Sequence, residues 1–150
     1  SISSPAVSLE FYDNADNAKG IILPWVTSTA AVNGAVNGTL VYNTADKKIY
    51  VKYASGWKDL SIDTTGKVTT NLQDPLTEQE TAKVMIGGNP STDTTSGILI
   101  LADTNKAMVL PKVASPHLNI VNPEPGMIVY DSTAKQLAVF NGMVWSFWKP

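Results

Sequence analysis

Gly38-Thr-Leu-Val-Tyr42 and Gly126-Met-Ile-Val-Tyr130 are one strand written twice. The offset between them is 88 residues, and it holds onward for Lys47 with Lys135, Ile49 with Leu137, Val51 with Val139 and Trp57 with Trp145. Upstream, Gly20-Ile-Ile-Leu-Pro-Trp-Val26 aligns with Ala107-Met-Val-Leu-Pro-Lys-Val113 at an offset of 87, as does Asp16-Asn-Ala-Lys19 with Asp103-Thr-Asn-Lys106. One extra residue between Val113 and Gly126 accounts for the change. Gly, Pro, Tyr, Lys and Trp kept in one order and register mark a duplication, and a repeat of this size governs the fold.

Each copy is predicted to be β structure. In the second, short apolar runs at Ile98–Ala102, Met108–Val113, Met127–Tyr130, Gln136–Phe140 and Met143–Trp148 are separated by polar turns. Pro111 has no N–H for a sheet ladder, so an edge or bulge position is expected for it. Asn141-Gly142 between two such runs predicts a type I′ hairpin, since both residues tolerate positive φ. The first copy repeats the pattern over Thr39–Tyr42 and Lys48–Tyr53, with a Ser55-Gly56 turn into Trp57. The expected fold class is all-β: two related β-meander repeats sharing one core, sandwich- or barrel-like. Copies of about 50 residues are too small to hold a large core alone. Residues 1–60 form the first repeat, 61–97 a connecting segment and 98–150 the second repeat. Asp74-Pro75 opens at most one or two helical turns, running to Ala82. Lys83–Ile86 has the composition of a further strand. The expected core is Ile22, Leu40, Tyr42, Ile49, Val51, Trp57, Val109, Ile128, Tyr130, Leu137, Val139 and Trp145.

Composition argues against most chemistry. The 150 residues contain no Cys, a single His and no Arg among the 11 basic residues. Disulfides, thiolate nucleophiles and Cys-ligated metals are excluded, and bidentate Arg recognition of phosphate is unavailable. His117 reads as an ordinary loop histidine, because no Gly-x-Ser-x-Gly elbow exists to pair with it. Asp13-Asn-Ala-Asp-Asn17 is rich in oxygen, but Ala15 breaks the alternation of a calcium loop, and a solvated turn is expected. Val-Met-Ile-Gly-Gly-Asn-Pro over 84–90 lacks the ending of a phosphate loop and reads as a turn closing a strand. No catalytic residue, metal or cofactor is predicted. A net charge of −2 gives no drive toward nucleic acid, and no apolar run is long enough for membrane insertion by a helix.

The Leu-Pro-x-Val run, the Gly-x-(Leu/Ile)-Val-Tyr strand, the Lys-x-(Ile/Leu)-x-Val strand and the Gly and Trp closure resemble a module of flavobacterial secreted and cell-surface proteins. The resemblance covers about residues 16–60 and 103–150. That module often reads Leu-Pro-Arg-Met/Val, where this chain has Trp25 and Lys112 in place of the Arg. The resemblance implies export and a non-enzymatic role at the cell surface. It also directs attention to Asp63-Thr-Thr, Asp93-Thr-Thr and Asp131-Ser-Thr, which match a short O-glycosylation pattern and would place the sugar on Thr64, Thr94 or Ser132. Turns favour the same residues for conformational reasons. Asn37-Gly-Thr39 is a formal N-glycosylation sequon.

Four tryptophans remain. Trp57 and Trp145 occupy equivalent repeat positions and are expected to be core plugs. Trp25 and Trp148 have no aromatic counterpart, which makes them candidates for an assembly or ligand surface. Strands at the two ends, Ala6–Tyr12 and Met143–Trp148, predict intermolecular strand pairing, with Val7, Leu9 and Phe11 on the N-terminal one. Low charge reduces repulsion between copies. The function expected is an exported, self-assembling structural subunit of an extracellular or cell-surface fibre, whose partner is itself. The alternative is an adhesion or carbohydrate-binding module whose partners are glycans.

Overall fold

A computed structural model describes residues 4–11, 18–79 and 81–149. Tyr12 and the Asp13–Asn17 loop lie outside the described residues. The strands are β1 (Val7–Glu10), β2 (Ile21–Ile22), β3 (Trp25–Val26), β4 (Leu40–Asn43), β5 (Lys48–Tyr53), β6 (Gly56–Asp59), β7 (Val84–Ile86), β8 (Leu99–Leu101), β9 (Ala107–Val109), β10 (Lys112–Val113), β11 (Met127–Asp131), β12 (Gln136–Phe140) and β13 (Trp145–Trp148). The fold is all-β. Short helical turns occur at Thr29–Ala31 and at α1 (Pro116–Asn119).

The duplication survives in three dimensions, register included. The first repeat forms a sheet in the order β3-β4-β5-β6, and the second one in the order β10-β11-β12-β13. Leu40 faces Val51 in one sheet, and Ile128 faces Val139 in the other. The Lys52–Trp57 pair matches Phe140–Trp145. Each meander carries a short parallel strand on its edge, with Trp25 beside Tyr42 and Lys112 beside Tyr130. That parallel strand follows the proline. Pro24 and Pro111, lacking N–H groups, offer their carbonyls to the Tyr42 and Tyr130 amides, both at 2.9 Å.

The shared core lies between the sheets. Leu23, Tyr42, Ile49, Leu60, Ile128 and Val139 form its buried centre, and Leu40, Val51 and Leu137 pack against it. Alternation along β11 and β12 sends Met127, Val129, Ala138 and Phe140 to the opposite face, where Val113 and Ile120 complete a second cluster. The second sheet is thus buried on both faces. The connection after β10 supplies Ile120 to that cover, whereas the 3-10 turn at Thr29–Ala31 in the first repeat buries no residue.

Several expectations need correction. Among the described residues near Pro75–Ala82 no helix forms; residues 71–75 make turns, and Leu72 and Leu76 are 86% and 71% exposed. Without an apolar face to bury, one or two turns of helix have too little to hold them. Asn141-Gly142 is not a two-residue type I′ turn. Only Gly142 has positive φ, at 95°, and the loop spans the four residues between Phe140 and Trp145. The buried Asn141 side chain closes it by accepting from the Met143 and Val144 amides, each at 2.9 Å. Ile22 and Tyr130 are surface residues, and Trp57 and Val109 are only half-buried, outside both clusters. The stretch after β6 also does more than connect. Ser61 is fully buried with its hydroxyl on the Ile49 amide at 2.7 Å, and Val68 packs on the shared core.

Tyr42 is the most informative buried side chain. It is fully buried, and its phenol donates to the Asn141 carbonyl at 2.9 Å. Burial, with a contribution from Asp46, pushes that phenol up to about 12 from its ordinary 10.0. The folded state therefore keeps a proton that the unfolded chain releases, so this stabilisation is complete below pH 10.0 and is lost as pH rises toward 12. Tyr42→Phe orphans the Asn141 carbonyl and should cost about 1–3 kcal/mol in denaturant unfolding at neutral pH. The variant should also lose stability less steeply between pH 10 and 12 than the parent chain. Tyr130→Phe, at the equivalent but exposed position, should cost less than Tyr42→Phe in the same measurement.

Candidate functional site

The two sheets are joined by one stretch of backbone. Ile21 and Ile22 pair antiparallel with Ile128 and Met127, adding a strand to the second repeat's sheet. Three residues on, Trp25 and Val26 belong to the first repeat's sheet. Pro24 is the hinge between them, and Leu23 fills the shared core while its amide donates to the Gly126 carbonyl at 3.0 Å. Gly20 lets the strand approach closely, since a Cβ there would sit 2.5 Å from the Met127 side chain.

Side chains reinforce the joint in both directions. The Trp25 Nε1 donates to the Pro125 carbonyl at 2.9 Å, and its ring lies 6.0 Å from that of Tyr42. The Trp148 Nε1 donates to the Leu60 carbonyl, and the Ser146 hydroxyl to that of Ser61. Lys58 sits 5.6 Å from the centre of the Trp148 indole. Asn141 Nδ2 donates to Asp63 at 3.0 Å. Apart from the Trp25–Tyr42 ring contact, which lies within the first repeat, each of these contacts runs from one repeat to the other or to the stretch after β6.

Trp25 and Trp148 are therefore packed against the shared core, each with its indole N–H on one of the chain's own carbonyls. Among the equivalent pair, Trp145 packs on the second cluster, 5.2 Å from the Phe140 ring, while Trp57 touches neither cluster. The repeat-equivalent of Trp148 is Leu60, which is itself in the shared core. The two indoles at the joint therefore sit on positions that differ between the repeats.

The N-terminal strand has a partner within the chain. β1 runs parallel to β9, with Val7 opposite Ala107 and Leu9 opposite Met108. Val7, Leu9 and Phe11 are half-buried. β7 and β8 form a separate parallel pair, with Val84, Ile98 and Leu99 exposed. His117 lies in α1 and meets the ring of Phe147 edge-on at 5.7 Å. No group of acidic or His side chains that could hold a metal occurs among the described residues.

Thr64, Thr94 and Ser132 are exposed on loops or turns. The aspartate before each has a structural task. Asp63, Asp93 and Asp131 accept from the amides of Thr65, Thr95 and Thr133, two residues on, at 2.7, 2.8 and 2.9 Å. Burial alone would raise the Asp131 carboxyl, but the amides of Ala134, Ser115 and Thr133 outweigh it and hold the group below its ordinary range. Its counterpart Asn43 does the same for Ala45 at 3.0 Å.

Two surface features are adjacent to the joint's sequence equivalents. An open apolar cavity of about 280 Å³ is lined by Met108, Val109, Leu110, Lys112 and Tyr130. On the first sheet, β3 borders β4 only at Tyr42 and Asn43, and no strand among the described residues pairs with Leu40 on that side.

A family described as a phage tail like trimerisation region matches residues 86–149, less than half of the chain. The matched stretch runs from the end of β7 through β13 and so contains the whole second meander and the apolar cavity, but not the β4 edge. No curated protein and no solved structure matches the chain. The likeness supports a structural, self-associating chain.

The packing reverses the costs that the sequence suggests for two indoles, since Trp25 and not Trp57 packs on the shared core. Trp25→Ala should destabilise the chain by about 3 kcal/mol, through lost core volume and an unpaired Pro125 carbonyl. Trp57→Ala should cost less than about half of that. Urea unfolding followed by circular dichroism gives both values.

Proposed function

We propose that this chain is a structural subunit that assembles as a trimer in an exported, extracellular or cell-surface fibre and performs no catalysis. The observation that carries the trimer is the match of residues 86–149 to a trimerisation region of the phage tail type. The fold supports a structural role in two ways. Two similar sheets on one chain present similar but non-identical edges, the arrangement from which head-to-tail contacts are made. The low charge of the chain, −2 over 150 residues, keeps repulsion between copies small. Export rests on the likeness of the repeat motifs to flavobacterial secreted and surface proteins. The exposed Thr64, Thr94 and Ser132 are consistent with glycosylated turns on such a surface. The non-catalytic assignment rests on composition: no Cys, no Arg and one His.

Light scattering coupled to size exclusion tests the assembly. The expected mass is three times that of the 16.0 kDa chain, with apparent mass independent of dilution over the micromolar range. Electron microscopy of the concentrated sample should show these units stacked into fibres. A chain that stays monomeric at hundreds of micromolar would overturn the proposal.

A further inference from the structure

The duplication supplies its own template for a contact between chains. Within the chain, Ile21 and Ile22 of the first repeat dock on Ile128 and Met127 of the second. An offset of 87 turns Ile21 and Ile22 into Met108 and Val109, and an offset of 88 turns Ile128 and Met127 into Leu40 and Thr39. The second-repeat counterpart of the docking strand is thus β9, and the counterpart of its seat is the start of β4. These two are not paired with each other in the chain: β9 borders β1, and no strand among the described residues pairs with Leu40 on the β3 side.

We propose that the outward edge of β9 in one chain pairs antiparallel with the Thr39–Leu40 edge of a second copy of this chain, repeating between chains the joint that Ile21–Ile22 and Met127–Ile128 make within one. The proposal rests on self-association as proposed above and names the surface responsible.

Backbone direction agrees with it. The Ala107 amide donates to Ala6 at 2.8 Å, and the Ser8 hydroxyl contacts the Ala107 carbonyl at 3.4 Å, so Ala107 turns its backbone groups toward β1. Alternation along a strand then turns those of Met108 to the other side. In the first repeat the groups used for docking belong to Leu23, whose amide donates to Gly126, and by alternation to Ile21. Met108 is the counterpart of Ile21, so β9 leaves open the edge that the joint requires. On the receiving strand, the Gly38 amide and the Thr39 carbonyl bond with Lys52 of β5, which directs the groups of Leu40 to the opposite, open side.

The side chains agree as well. Tyr42 is buried because the second repeat covers it and takes its hydroxyl on the Asn141 carbonyl. Tyr130, its counterpart, is 36% exposed on the wall of the 280 Å³ apolar cavity beside Met108 and Leu110. The inter-chain joint brings the neighbour's first repeat over that cavity, with its Tyr53 carbonyl at the position equivalent to that of Asn141. Each chain then offers one giving and one receiving edge. Such heterologous contacts close into a ring when the rotation allows, and three chains give a ring of six repeats.

Cross-linking tests the pairing, helped by the absence of native cysteine. Thr39 and Val109 take the places of Met127 and Ile22, a pair outside the directly hydrogen-bonded positions, where opposed Cα atoms lie about 4.5 Å apart, within disulfide range. Thr39→Cys chains mixed with Val109→Cys chains and oxidised should give a disulfide dimer on a non-reducing gel, well above the yield from either variant alone. The double variant should give a covalent trimer. Assembly by light scattering without the mixed cross-link would overturn this surface while leaving self-association standing. An intramolecular disulfide at monomer mass in the double variant would also overturn it. A parent chain that is monomeric would overturn self-association itself. Met108→Pro is a second variant, since the backbone N–H that it removes points away from β1. It should shift the assembly to monomer with an unchanged β-type circular dichroism spectrum, and a folded Met108→Pro chain that still assembles would count against the proposal.

Discussion

The pairing of Ile21–Ile22 with Met127–Ile128 is the constraint on which the rest of the structure depends. Each meander alone is a small twisted sheet with an apolar face that it has no means of covering. By placing a first-repeat strand in the second repeat's sheet and then turning at Pro24, the chain fixes the faces of Leu40, Tyr42, Ile49 and Val51 against those of Ile128, Leu137 and Val139. The polar groups that close the joint, Tyr42 on Asn141, Trp25 on Pro125 and Trp148 on Leu60, satisfy carbonyls that the same packing has removed from water. Burial and hydrogen bonding reinforce each other here, because an unpartnered carbonyl in this position would cost about as much as a packed methyl or two contributes.

Backbone conformation shows how deep the duplication runs. Lys47 and Lys135 both adopt left-handed φ, at 61° and 56°, although neither is glycine or asparagine. Each follows a turn headed by a buried acceptor, Asn43 or Asp131, whose side chain holds the turn amides. The acceptor overdetermines the turn, and the strained lysine is carried along with it. Gly38 and Gly126 are both left-handed as well, but for Gly126 the constraint is double. A Cβ there would lie 2.8 Å from that of Tyr42, while one on Gly38 would meet nothing within 4 Å. The same glycine is a turn residue in one repeat and a turn residue inside a packed joint in the other.

Differences between the copies carry the structural asymmetry. The loop after β10 includes α1 and provides Ile120 to the second cluster, so the second sheet is covered on both faces. The second sheet also receives the strand of the first repeat on its β11 edge, while the first sheet receives none at the matching place among the described residues. Using one such pair of edges within the chain is a source of directionality, since a surface already used within the chain is not available outside it.

Strand positions, turn positions, the all-β class and the equivalence of the two halves were determined by the sequence itself, because period-2 alternation, proline and glycine act locally. Pro111 as an interruption of an edge strand is a consequence of its missing N–H wherever the chain goes. Burial was not so determined. Tyr42 and Tyr130 have near-identical local sequences, yet one is fully buried and the other lies on the surface, and of the half-buried Trp57 and Trp145 only Trp145 packs on a core cluster. The alternation says which side chains share a face; only the tertiary arrangement says which face another sheet covers. Trp25 and Trp148, unmatched by any aromatic in the other copy, became core residues for the same reason: the joint is a single asymmetric contact between two similar halves, and a residue used there once has no cause to be repeated.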